Sequence, residues 1–83
     1  MAYELVYTKS AFRDIKKLDR VAKKNLAKAL ERLRGDPRRL SKKLTLKKLG
    51  DYRYRVGNYR VIFDIAGRKI IVHHVGHRKD IYR

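Results

Sequence analysis

Apolar and polar residues alternate at the start of the chain. They then recur every three or four positions and later alternate again, which predicts a strand, then helices, then strands. Tyr3, Leu5 and Tyr7 alternate with Glu4 and Val6, so residues 2–7 read as a strand. Thr8 or Ser10 offers an oxygen to the free amides of a helix start, and Phe12, Ile15 and Leu18 follow at helical spacing. A second helix begins near Asp19, with Val21, Ala22, Leu26, Ala29, Leu30 and Leu33 as its apolar stripe. Gly35-Asp36-Pro37 ends it, because glycine suits a left-handed cap and proline cannot continue a helix. The two helices read as an antiparallel hairpin laid on a sheet.

Residues 36–48 form a basic connector in which leucines punctuate lysines and arginines, and periodicity leaves a short strand and a helical turn equally open. Strands are then expected over about 51–56, 59–65 and 69–75. Gly57-Asn58 fits a primed two-residue turn between the first two, and Ala66-Gly67-Arg68 makes the next turn. Ile70-Ile71-Val72 is an apolar run expected of a central strand. Gly76 is expected to break that strand, leaving a short C-terminal helix or tail. The order is β-α-α-β-β-β with a short C-terminal element: an α+β fold, a twisted antiparallel sheet flanked by a two-helix hairpin. Residues 1–83 read as one domain, without internal repeat or linker.

Charge changes the picture. Lys and Arg number 24 against 8 Asp and Glu, a formal net charge of +16. The excess is spread along the chain, +7 over residues 1–41 and +9 over 42–83, as in a binding surface rather than a basic tail. Such self-repulsion costs stability and is relieved by a polyanion, for which nucleic acid or an acidic protein would serve. With no Cys, disulfides and thiolate metal sites are excluded. No run is apolar enough for a transmembrane helix or a signal peptide, so no membrane association and a cytoplasmic location are expected.

The candidate chemistry sits in Tyr52-Arg53-Tyr54-Arg55-Val56-Gly57-Asn58-Tyr59-Arg60. Alternation puts Arg53 and Arg55 on one face of their strand and the tyrosines on the other, and Arg60 returns across the turn. Three guanidiniums can therefore converge, and guanidinium binds phosphate bidentately at any working pH. The plain alternative is a solvated basic face, which is weakened because like charges that close are costly without an anion. Arg78 and Tyr82, four apart, would share a helix face. RNA cleavage by its own 2′-hydroxyl needs a proton acceptor, cations for the phosphorane and a proton for the departing 5′ oxygen. Arginines suit the second role. Tyr82 in a positive field suits the first, and packing on the core or stacking on a base suits it as well.

His73 and His74 are adjacent in a strand and point to opposite faces, which disfavours chelation, so no metal site is expected. His77 is placed to assist proton transfer. Carboxylates are too scarce in the second half for two-metal nuclease chemistry. Lys16, Lys17, Lys23, Lys24 and Lys28 form a basic helix face, solvated in the ordinary case and attractive to a large RNA assembly in the other.

The opening Tyr3-Glu4-Leu5-Val6-Tyr7 with Phe12 and Leu18, then Leu46-Lys47-Lys48-Leu49, the Tyr52–Ile62 segment and Val75-Gly76-His77-Arg78-Lys79-Asp80-Ile81-Tyr82-Arg83 together resemble the RelE/ParE superfamily of toxins. Within it, the RelE-type mRNA interferases are the nearest in pattern. The resemblance implies a small RelE-like fold and a toxin of a type II toxin–antitoxin system. It implies a ribosome-dependent endoribonuclease, without cofactor, that cuts mRNA in the A site by 2′-hydroxyl attack and so inhibits translation. By residue, it implies catalytic Arg53 and Arg55, phosphate-holding Arg60, Arg78 at the leaving group, and Tyr82 stacking on a base or activating the nucleophile. Lys23, Lys24, Lys28, Lys47, Lys48, His77 and Arg83 are the expected RNA and ribosome contacts. The implied partners are the ribosome with its mRNA and an acidic RelB-like antitoxin, with a toxin–antitoxin heterotetramer as the assembly. This chain departs from the best-known members in carrying arginine where they carry lysine at positions 53 and 55. Two alternatives stay open: a non-cleaving RNA-binding protein on the same fold, and a ParE-type inhibitor of DNA gyrase.

Overall fold

The computed structural model describes residues 2–43 and 52–77. Its elements are β1 (Glu4–Tyr7), α1 (Lys9–Lys16), α2 (Arg20–Gly35), α3 (Pro37–Leu40), β2 (Lys42–Lys43), β3 (Tyr52–Val56), β4 (Tyr59–Ala66) and β5 (Lys69–His77). The strands form one sheet in the order β1-β5-β4-β3-β2. This is the expected α+β fold. Three of its strand pairs are antiparallel, but β1 runs parallel to β5, so the sheet is mixed. The reason is connectivity: the chain leaves β1 into helices, crosses one face and returns through a meander, so it meets β1 again in the same direction.

Helix starts follow the expected caps. Thr8 accepts at 3.1 Å from the Ala11 amide and donates to the His73 carbonyl, so the cap of α1 also ties it to β5. Asp19 accepts at 2.7 Å from the Ala22 amide at the start of α2. The end of α2 differs from expectation. Gly35 remains helical and is not left-handed; the chain leaves through Asp36, at φ −156° and ψ 74°. Asp36 then caps the one-turn helix α3, with Pro37 at its first position, where a missing N–H costs nothing. The undecided connector thus resolves into α3 and β2 as far as Lys43, and the rest of it lies outside the described residues.

Both tight turns carry positive-φ glycines, Gly57 at +58° and Gly67 at +60°. In β5 the expected break at Gly76 is absent, and pairing runs on through Gly76 to His77. The register shifts between Ile62 and Phe63: Ile62 faces His74 and Phe63 faces Val72, so one residue of β5, His73, is extra.

Ala11, Leu26, Leu30, Leu33, Val61, Phe63, Ile70, Val72 and Val75 form the buried cluster between the helices and one sheet face. Two expected core positions are exposed instead. Phe12 is 55% exposed, with the Lys16 ammonium over its ring, and Val21 is 67% exposed. The expected Ile15, and Leu18 just past α1, do pack against the core, but the buried residue that precedes them on α1 is Ala11 in place of Phe12. α2 is anchored at its end to the residue just before β1 through Arg34, whose Nε donates to the Tyr3 carbonyl at 2.8 Å.

Leu33→Ala should cost about 2–5 kcal/mol in urea unfolding, because Leu33 is fully buried, whereas Val21→Ala should stay within roughly 0.5 kcal/mol. Tyr7 has its pKa raised above the ordinary 10.0, first by burial and next by Glu31, with Arg34 opposing. A raised folded-state value means that its contribution to stability is complete below the ordinary value and disappears as pH climbs through the raised one. Urea titrations on either side of that range should show a fall that is smaller in Tyr7→Phe.

Candidate functional site

On β3, residues alternate between two environments. Tyr52, Tyr54 and Val56 pack against the core, and the Tyr52 ring stacks on Phe63 with centroids 5.5 Å apart. Arg53 and Arg55 therefore project from the face away from the helices. The register then places Arg55 directly opposite Arg60 and Arg53 opposite Ile62. Residues opposite one another in an antiparallel pair share a face, so the three guanidiniums stand together. Arg53, Arg55 and Arg60 line one concavity of about 170 Å³, together with Lys42 and Leu40. Lys42 arrives there because β2 pairs it with Arg53.

The tyrosine side of β3 also fixes the cleft rim. The Tyr52 hydroxyl accepts at 3.2 Å from Arg38 on α3, so α3, which leads into β2, is tied to the strand that carries the arginines. Arg55 Nε donates to the Gly57 carbonyl at 3.4 Å, which holds it near the β3–β4 turn. Four cations around so small a space repel one another, and an anion in it converts that cost into charge-assisted hydrogen bonds.

The other expected site residues do not all join this cluster. Lys23, Lys24 and Lys28 are exposed on α2, as are Lys16 and Lys17 on or beside α1. Lys28 borders a larger concavity, about 410 Å³, whose floor is Leu18, Leu26, Val56 and Val75 and whose rim also holds Arg32. That space lies on the helix side of the sheet and lacks the convergent guanidiniums, so size alone does not mark the chemistry. His77 also turns to the helix side, its ring edge-on to Tyr59 at 5.8 Å, away from the arginines. Arg78, Tyr82, Arg83, Lys47 and Lys48 lie outside the described residues.

The adjacent histidines engage different partners. His73 Nε2 lies 2.6 Å from Asp64 on β4, and His74 Nδ1 lies 3.6 Å from Asp14 on α1, whose carboxylate also accepts from the Val75 amide. Among the described residues, no group of three or more His, Cys, Asp or Glu side chains could hold a metal ion. Among the same residues, no helix is long and apolar enough to cross a membrane.

Sequence reasoning missed Lys42 and Leu40 as members of the cleft. The only signal was their place in the basic connector, and a two-residue strand is too short to read from periodicity.

A family model described as the ParE toxin of the type II toxin-antitoxin system, parDE, matches residues 5–82. This chain belongs to the RelE/ParE toxin superfamily. It is 31% identical over 83 residues to Toxin RelE3 of Methanocaldococcus jannaschii, covering 95% of this chain and 94% of that protein. Its fold is similar to that in the toxin-antitoxin complex RelBE2 of Mycobacterium tuberculosis, with a TM-score of 0.84, 27% identity, and 94% of this chain and 100% of that one covered. The intact Escherichia coli RelBE toxin-antitoxin complex contains a chain similar at a TM-score of 0.73 and 26% identity, with 92% and 96% covered. The protein is thus a RelE/ParE-type toxin of a type II toxin–antitoxin system.

In this RelE/ParE chain the cleft should govern binding of single-stranded RNA. Affinity should fall with salt, and Arg53→Gln or Arg60→Gln should each reduce the slope of log K against log salt by about 0.7. Lys24→Gln, away from the cleft, should reduce it less. Fluorescence titrations of a short oligonucleotide at several salt concentrations measure this.

Proposed function

We propose that this toxin is a ribosome-dependent endoribonuclease that cuts mRNA in the A site through attack by the RNA's own 2′-hydroxyl. The observation that carries the reading is the convergence of Arg53, Arg55, Arg60 and Lys42 on one concavity of a sheet face. A phosphodiester in that space would meet fixed cations where the pentavalent phosphorane gathers negative charge, which is where electrostatic stabilisation acts most. Binding also positions the 2′-oxygen in line with the departing 5′-oxygen. Gly76, paired with Arg60, stands two residues before Arg78 in the chain, which supports Arg78 as the group at the leaving oxygen. Tyr82 then stacks on a base or serves the nucleophile. Guanidiniums supply the charge stabilisation, and this reading calls for no cofactor.

A net charge of +16 suits an acidic antitoxin that orders on binding, as well as ribosomal RNA. Similar chains occur in RelB–RelE complexes, which supports such a partner here. Lys23, Lys24 and Lys28 add long-range attraction to the ribosome rather than chemistry. A cytoplasmic site of action follows from that target.

The family model's ParE description favours a second reading, inhibition of DNA gyrase. Purified protein in a reconstituted translation reaction separates the two. Codon-positioned mRNA cuts, lost about 100-fold or more in Arg78→Ala, are expected. ATP-dependent linearisation of plasmid by gyrase, with mRNA intact, would overturn the first reading, and binding to ribosomes without cuts would reduce the protein to an RNA-binding module.

A further inference from the structure

We propose that Lys42 is a catalytic residue, the group that takes the proton from the attacking 2′-hydroxyl. The inference rests on the endoribonuclease reading and gives the proton-acceptor role to a residue of the concavity, which leaves Tyr82 the base-stacking role. A 2′-hydroxyl becomes a competent nucleophile only as its proton leaves, and the acceptor must itself be able to exist without that proton. Guanidinium does not lose its proton in a protein, so Arg53, Arg55 and Arg60 can hold the phosphate but cannot accept. The described residues lining the concavity are Leu40, Lys42, Arg53, Arg55 and Arg60. Of these, Lys42 alone carries an amine that exchanges protons.

The histidines, the usual acceptors, are committed elsewhere. His73 is against Asp64, His74 near Asp14, and His77 against the Tyr59 ring; none lines this space.

The placement of Lys42 is built rather than incidental. Asp36 accepts from the Arg39 amide, and Ser41 Oγ donates to the Pro37 carbonyl, which closes the turn of α3 just before Lys42. Arg38 of the same turn donates to the Tyr52 hydroxyl. On its other side, Lys42 is in register with Arg53. Turn and strand pairing thus deliver the side chain to the same face as the arginines.

The step balances without a further reactant. The neutral amine removes the 2′-hydroxyl proton as the O2′–P bond forms. The P–O5′ bond breaks, and the 5′-oxygen leaves as a hydroxyl with a proton from water. The ammonium returns its proton to solvent. The products are a 2′,3′-cyclic phosphate and a 5′-hydroxyl end.

Single-turnover cleavage on mRNA-programmed ribosomes tests this with Lys42→Arg and Lys42→Ala, each checked for folding by circular dichroism. Lys42→Arg keeps the charge and should bind ribosomes within about two-fold of wild type while cutting about 100-fold slower or worse. Added methylamine or ethylamine should restore part of the rate to Lys42→Ala and none to Lys42→Arg, whose side chain fills the space. Lys42→Arg cutting at the wild-type rate would overturn the proposal. So would a loss of cutting matched by a loss of ribosome binding, or the absence of amine rescue. Wild-type protein that binds ribosomes and leaves mRNA uncut would sink the endoribonuclease reading itself, a distinct outcome.

Discussion

The two-residue period of β3, pinned by the stack of Tyr52 on Phe63, is the constraint on which the site depends. One face of the strand is committed to the core through Tyr52, Tyr54 and Val56, and a strand cannot turn part of its residues without turning all of them. Arg53 and Arg55 are therefore held outward by apolar burial, not by any affinity for one another. Register across a tight turn then sets Arg60 opposite Arg55. The aromatic half of the strand supplies the free energy that keeps the cationic half assembled.

That division explains how a chain of 83 residues with a net charge of +16 folds around a repulsive cluster. The helix side carries the stabilising burial, from Ala11 on α1 through Leu33 on α2 to Val75 on β5. Caps that do double duty join the layers: Thr8 bonds both its own helix and the His73 carbonyl, and Asp14 receives the Val75 amide where β5 carries its extra residue. With most of the burial gathered on one face, the other carries the cationic cluster beside the single buried Ile62.

Much of this was legible in the residues themselves. The strand and helix periods, the Thr8 and Asp19 caps and the glycine turns are local, so sequence reports them directly. The opposed tyrosines and arginines of β3 follow from alternation alone. Side-chain size misled at Phe12 and Val21, because a helix buries whichever residues face the sheet and here smaller Ala11 points inward. Gly35 misled because the Asp36–Pro37 pair ends the helix by another route.

By itself the sequence determined the order of elements, the cationic character and which strand carries the alternating arginines and tyrosines, because each is set by residues near one another in the chain. Only the tertiary structure decided the parallel pairing of β1 with β5, the extra residue at His73, the turning of His77 towards Tyr59 and the arrival of Lys42 beside Arg53. Those are choices of partner across long stretches of chain. They are made by the packing of a complete core, which no local pattern encodes.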